Sequence, residues 1–89
     1  MTEHRETILA EADRIVHGER RDDYGPAIES FERIAAVWSA CVFDQPVTAL
    51  QVAQAMAALK LCRFRTSQDR DSLVDLAGYA QLAADIAGL

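Results

Sequence analysis

Apolar and polar positions along this chain recur with the 3.6-residue period of helices, and no segment shows a convincing period of two. In the first stretch Ile8, Leu9, Ala12, Ile15 and Val16 share a helical spacing. They predict a helix over about residues 3–17, capped by Thr2 and closed by Gly18. The charged run ERRDDYGP from Glu19 to Pro26 follows, and Gly25-Pro26 marks a turn into the next helix. That second helix, about 27–43, places Ile28, Phe31, Ile34, Ala35, Trp38 and Val42 on one face and Glu29, Glu32 and Arg33 on the other. A turn spans Asp44 to Val47, after which Thr48 and Gln51 form a capping-box pattern. Past the polar run from Thr66 to Arg70, a last helix over about 71–87 carries Leu73, Leu76, Ala77, Ala80, Ala83, Ala84 and Ala87 as its core stripe. The pattern predicts an all-α, four-helix single domain over residues 1–89.

The third helix departs from ordinary amphipathicity. From Ala49 to Phe64 twelve of sixteen residues are apolar, and they leave no clear polar face. Such a helix is buried nearly all round. Neighbours within a chain this short cover one side of it, so the other side is expected to meet a second copy, making a homo-oligomer. Ala49, Ala53, Ala55, Ala57 and Ala58 let another backbone come close, while Leu50, Met56, Leu59 and Leu61 supply bulk. Lys60 projects with Ala49, Ala53 and Met56. A cation on that face either snorkels to the edge, pairs with a carboxylate of the next helix, or holds a ligand's phosphate.

Composition narrows the class. Eighty-nine residues with 51% hydrophobic and 26% charged residues, four Gly and two Pro read as one globular helical domain. The formal net charge of -5 argues against direct nucleic-acid binding, which calls for a basic stripe. With no apolar run near twenty residues and no basic-then-apolar leader, the expectation is a soluble cytoplasmic protein without a membrane partner. Cys41 and Cys62 sit inside apolar helical patterns, away from any CxxC, and are expected to be buried reduced thiols, a disulfide or a metal site being the alternatives. His4 lies near a terminus and His17 at a helix end, where it suits the dipole; neither has the spacing of a metal ligand.

Three constellations carry candidate chemistry. Glu29 and Glu32 stand at i, i+3 on the second helix, where two carboxylates share a face and can converge on Mg2+; exposed Glu pairs are also ordinary on solvated helices. Asp71 and Asp75 open the last helix at i, i+4. Asp71 also suits the helix dipole, and Asp75 also suits an ion pair with Lys60 or Arg63. Gly78 beside them costs the helix about 1 kcal/mol and implies close approach of a backbone or ligand. The third constellation is the loop with Arg20, Arg21 and Tyr24, whose guanidinium groups suit phosphate and whose ring suits a base; the alternative is a solvated loop with Tyr24 on the core.

The order Gly18, Arg20, Tyr24-Gly25, Phe31, Ile34-Ala35, Trp38, Lys60, Arg63, Asp71, Asp75, Gly78-Tyr79 resembles a group of small, largely uncharacterised phage and prophage proteins linked with nucleotide metabolism or modification. More remotely, an ExxE helix followed by a later acidic helix is similar to the MazG-like all-α nucleoside triphosphate pyrophosphohydrolases, helical oligomers in which ExxE and ExxD motifs hold Mg2+. That resemblance implies Glu29 and Glu32 as the first motif and Asp75 as the last acid of the second, these three being catalytic. Ser72 stands where the pattern has an acid, and Asp71 substitutes with an altered ligand geometry. The implied metal set is Glu29, Glu32, Asp71 and Asp75, with Arg20, Tyr24, Lys60, Arg63 and Tyr79 as nucleotide-binding residues. Two functions follow: a Mg2+-dependent nucleoside triphosphate pyrophosphohydrolase, or a non-catalytic oligomeric binder that sequesters a nucleotide or nucleotide-derived signal. A third reading is a structural or partner-binding helical protein whose charged pairs hold its helices together.

Overall fold

A computed structural model describes residues 6–19 and 26–89. Among these residues the chain is all-helical, with four helices and no strand. The first helix, α1 (Ile8–Arg14), starts at Ile8, later than the expected residue 3, since Glu6 and Thr7 are not helical, and it widens into a π-helical segment at Ile15–Glu19. Its cap is Thr7, whose hydroxyl accepts from Ala10 N at 3.0 Å. The expected cap Thr2 lies outside the described residues. Gly18 does not close the helix in a left-handed turn; it sits within the π-helical segment, and among the described residues the glycine with positive φ is Gly88.

Helix α2 (Ala27–Val37) starts after Pro26 and also ends in a π-helical segment, Trp38–Val42, where Phe43 N donates to Trp38 O at 2.9 Å. Ser39 ties this end to the next helix: its hydroxyl donates to Ala35 O at 2.7 Å and accepts from Val47 N at 2.8 Å. A hydroxyl returned to the i-4 carbonyl bends a helix, in keeping with the widened turn that begins there. Helix α3 (Ala49–Ser67) begins with the expected capping box: Gln51 N donates to Thr48 Oγ1 at 3.1 Å and Thr48 N to Gln51 Oε1 at 2.9 Å. Gln68 stops it in the left-handed region at φ 52°, and Asp69 caps α4 (Arg70–Ala87). So tight a link folds α3 and α4 into an antiparallel hairpin.

Helix α4 organises the packing. It lies against α3, α1, α2 and the first π-helical segment. Its buried positions are Ser72, Val74, Gly78 and Leu82; of the expected stripe, Leu73, Leu76, Ala77, Ala83 and Ala84 are half-buried, with Ala83 packed against the core, while Ala80 and Ala87 are exposed. The reason is geometric. Two neighbours on different sides impose two contact faces, and where they crowd, small residues replace bulk. A Cβ on Gly78 would stand 3.3 Å from Val16 Cγ2, so this glycine admits the Val16 side chain from the first π-helical segment. The core joins Val16, Phe31, Ala35, Val52, Ala53 and Leu82, with Ile34, Trp38, Met56, Tyr79 and Ile86 packed around it.

Helix α3 is buried on one side only. Val52 and Ala53 are fully enclosed, with Met56 and Lys60 part-buried below them, so the inward face is the one on which the spacing placed Lys60. The opposite face, with Ala55, Ala58, Leu59, Leu61 and Cys62, is exposed. Ile28 and Val42, expected in the core, are exposed as well, because α2 packs mainly through Phe31 and Ala35. Both cysteines are free and exposed, against the expectation of buried thiols. The Cα radius of gyration is 14.3 Å, against about 12 Å for a compact chain of this length.

Candidate functional site

The charged side chains gather along the seams of α4. Near its start, Arg70 pairs with Glu11 of α1 and donates from Nη2 to Glu6 O at 2.6 Å. One turn on, Lys60 of α3 meets Asp75 with Nζ to Oδ2 at 2.9 Å. The Lys60 side chain keeps only 17% of its exposure and that of Asp75 39%, so this is a half-buried interhelical ion pair. Towards the C-terminus, His17 stands between two carboxylates, with Nδ1 2.8 Å from Asp13 Oδ1 and Nε2 3.1 Å from Asp85 Oδ2. Its pKa is raised, first by the hydrogen bond to Asp85 and then by that to Asp13. Each staple joins α4 to a different stretch of chain.

Asp69 lies at the α3–α4 junction. Its carboxylate accepts from the hydroxyls of Ser67 at 2.6 Å and Ser72 at 2.7 Å and from Ser72 N at 3.2 Å. These bonds favour the ionised form, that of Ser67 foremost, and hold its pKa down at about 2. Glu6 is likewise lowered by its hydrogen bonds from Arg14.

The residues singled out from the sequence separate into distinct places. Glu29 and Glu32 are exposed on α2, Asp71 is exposed in the first turn of α4, and Asp75 is engaged by Lys60. Among the described residues no three His, Cys, Asp or Glu side chains of one chain are gathered as a metal-holding group. Arg63 is exposed and lines a shallow surface hollow with Cys62, Thr66 and Ser67. Tyr79 is half-buried, its ring 6.2 Å from that of Phe31 and tilted by 35°. Arg20 and Tyr24 lie outside the described residues, as does His4. Of the alternatives open for Lys60, pairing with a carboxylate of the next helix is the one the structure has.

Three participants were not anticipated: His17 as a bridge, Asp69 as a cap and Arg70 as an anchor. Two had local signals, since Asp13 and His17 stand at i, i+4 and Asp69 precedes Ser72 at cap spacing. Arg70 had none, because its partners Glu11 and Glu6 are 59 and 64 residues away.

Fold and site together define a small all-α protein whose helices are laced by ion pairs across their seams. The chain belongs to the family described as Domain of unknown function (DUF6378), whose model matches residues 7–87. It is similar to the Gene 55 protein of Mycobacterium phage D29, 41% identical over 76 residues, which are 84% of this chain and 50% of that protein. It is also similar to the Gene 55 protein of Mycobacterium phage L5, 43% identical over 75 residues, 83% of this chain and 48% of that one. The chain thus spans about half the length of these phage relatives. No solved structure matches it. Among the described residues no helix is long and apolar enough to cross a membrane.

Proposed function

We propose that this is a non-catalytic binding protein of phage type that self-associates and retains a nucleotide or nucleotide-derived anion without turning it over. The observation that carries the reading is the Lys60–Asp75 pair: the acid that the MazG-like resemblance assigns to metal already has a cation 2.9 Å away. A carboxylate so engaged is a poorer ligand for a divalent ion, and the open pair Glu29 and Glu32 is only half of the expected metal set. Self-association is supported by the uncovered apolar side of α3, where Leu59 and Leu61 remain 48% and 57% exposed. A contiguous uncovered apolar face is the mark of an association surface. For the ligand class, Arg63 beside Thr66 offers a forked cation and a hydroxyl in the open, a pairing suited to phosphate oxygens.

The test is incubation of the purified protein with nucleoside triphosphates and cyclic dinucleotides, with and without Mg2+. Supernatant and heat-released ligand are then separated by chromatography. The expected result is intact nucleotide released only by heating, whether or not Mg2+ is present. Mg2+-dependent formation of monophosphate overturns the non-catalytic reading in favour of a pyrophosphohydrolase completed by a second copy. Absence of any retention removes the nucleotide and leaves a protein that binds other proteins.

A further inference from the structure

The hydrogen-bond inventory at His17 does not balance for a neutral ring. A neutral imidazole has one N–H and one lone pair, whereas an ionised carboxylate only accepts. Yet Nδ1 lies 2.8 Å from Asp13 Oδ1 and Nε2 3.1 Å from Asp85 Oδ2, so both ring nitrogens face acceptors at bonding distance. Only the imidazolium, with two N–H groups, satisfies both. Loss of its proton turns one of these contacts from a hydrogen bond into a repulsion between lone pairs.

The geometry points to His17 as a proton-operated latch that fastens the π-helical end of the first helix to the C-terminal half of α4. The two contacts differ in what they do. Asp13 is one turn back on the same helix and orients the ring, whereas Asp85 is 68 residues away and makes the tertiary connection. Asp85 is itself held, since Gln81 Nε2 donates to its Oδ1 at 2.9 Å. Beside the latch is a hollow of about 170 Å³ lined by Val16, Pro26, Ala27, Ile28 and Leu82 as well as the two latch residues. The α2 residues on its wall carry no charge, so among the described residues Asp13 and Asp85 are the ionisable groups facing the ring. At the other end of α1, the Arg70 pair with Glu11 does not depend on this proton. Deprotonation therefore loosens residues 15–19 locally and leaves the start of the helix docked.

The raised pKa fixes the sign. The latch contributes fully below the unfolded histidine value of about 6.5 and is lost as pH rises through the higher folded value. This inference goes beyond the binding reading and does not depend on it.

The experiment follows the ring resonances of His17 and His4 by NMR from pH 5 to 9 in the full chain. In parallel, amide exchange at residues 15–19 is measured in the wild type and in His17→Gln, each corrected for the intrinsic pH dependence of exchange. Expected are a His17 pKa above the ordinary histidine value, a return towards that value in Asp85→Asn, and protection at 15–19 that falls with rising pH in the wild type but not in His17→Gln. Titration of His17 at or below the ordinary value overturns the latch, as does the same protection profile in both proteins. The NMR titration needs no variant, and His17 lies at the surface, so the outcome does not hang on whether a substitution folds.

Discussion

At the scale of single residues, the decisive contact is between Lys60 and Asp75. The ion pair is partly removed from water, so breaking it costs more than a surface pair and less than a fully buried one. Asp75→Asn leaves the Lys60 ammonium on an apolar face without a counter-charge. The expected loss is about 1–2 kcal/mol in urea unfolding, and Lys60→Met added to Asp75→Leu recovers most of it. A pair that serves metal binding instead gives Asp75→Asn unchanged stability. The face of Lys60 was legible from the 100° step of the helix. Its partner was legible only as one of several readings, Asp75 suiting an ion pair with Lys60 or Arg63 as well as a ligand or metal, because helical spacing says where a side chain points and does not choose between them.

At the scale of elements, the seam between the first helix and α4 depends on a missing side chain. Gly78 costs α4 helix propensity, and the return is contact with Val16 at a separation that no Cβ fits comfortably. Gly78→Val sets a branched side chain against another branched side chain, and neither has a rotamer that yields. We expect a loss of about 1–3 kcal/mol and increased exchange of the amides of residues 15–19, read by thermal unfolding and amide exchange. Gly78→Ala tests the balance more finely, since its propensity gain and its contact strain oppose one another. A glycine in mid-helix announced close approach in the sequence. That the approaching group is Val16, and not a ligand, needed the fold. The stripe of α4 was legible only in part for a related reason: Leu73, Leu76, Ala77, Ala83 and Ala84 are half-buried, but a helix with neighbours on several sides buries Ser72, Val74, Gly78 and Leu82 more deeply.

At the scale of the whole molecule, apolar surface is left over. Val37, Val42 and Phe43 at the end of α2 and Leu59 and Leu61 on α3 are each about half exposed or more. An elongated chain of 54 × 30 × 23 Å encloses little of its own hydrophobic content. The expected consequence is association: light scattering coupled to size exclusion gives a mass above one chain, and Leu61→Glu with Leu59→Glu returns it to the monomer without loss of helicity. A monomeric wild type at micromolar concentration removes the self-association half of the proposed function. The four helices and the capping box at Thr48-Gln51 were legible in the sequence alone, because these depend on contacts within four residues, whereas the expected stop at Gly18 was overridden by a π-helical turn. The existence of an inward cation and of a glycine built for close packing was equally legible, since both follow from the helical repeat. Whether Asp75 pairs with Lys60 or serves a ligand, that Asp85 reaches His17, and which side of the apolar helix α3 stays open were decided by the tertiary structure, because each depends on how the helices lie against one another, and packing across 15 to 68 residues of chain leaves no local trace.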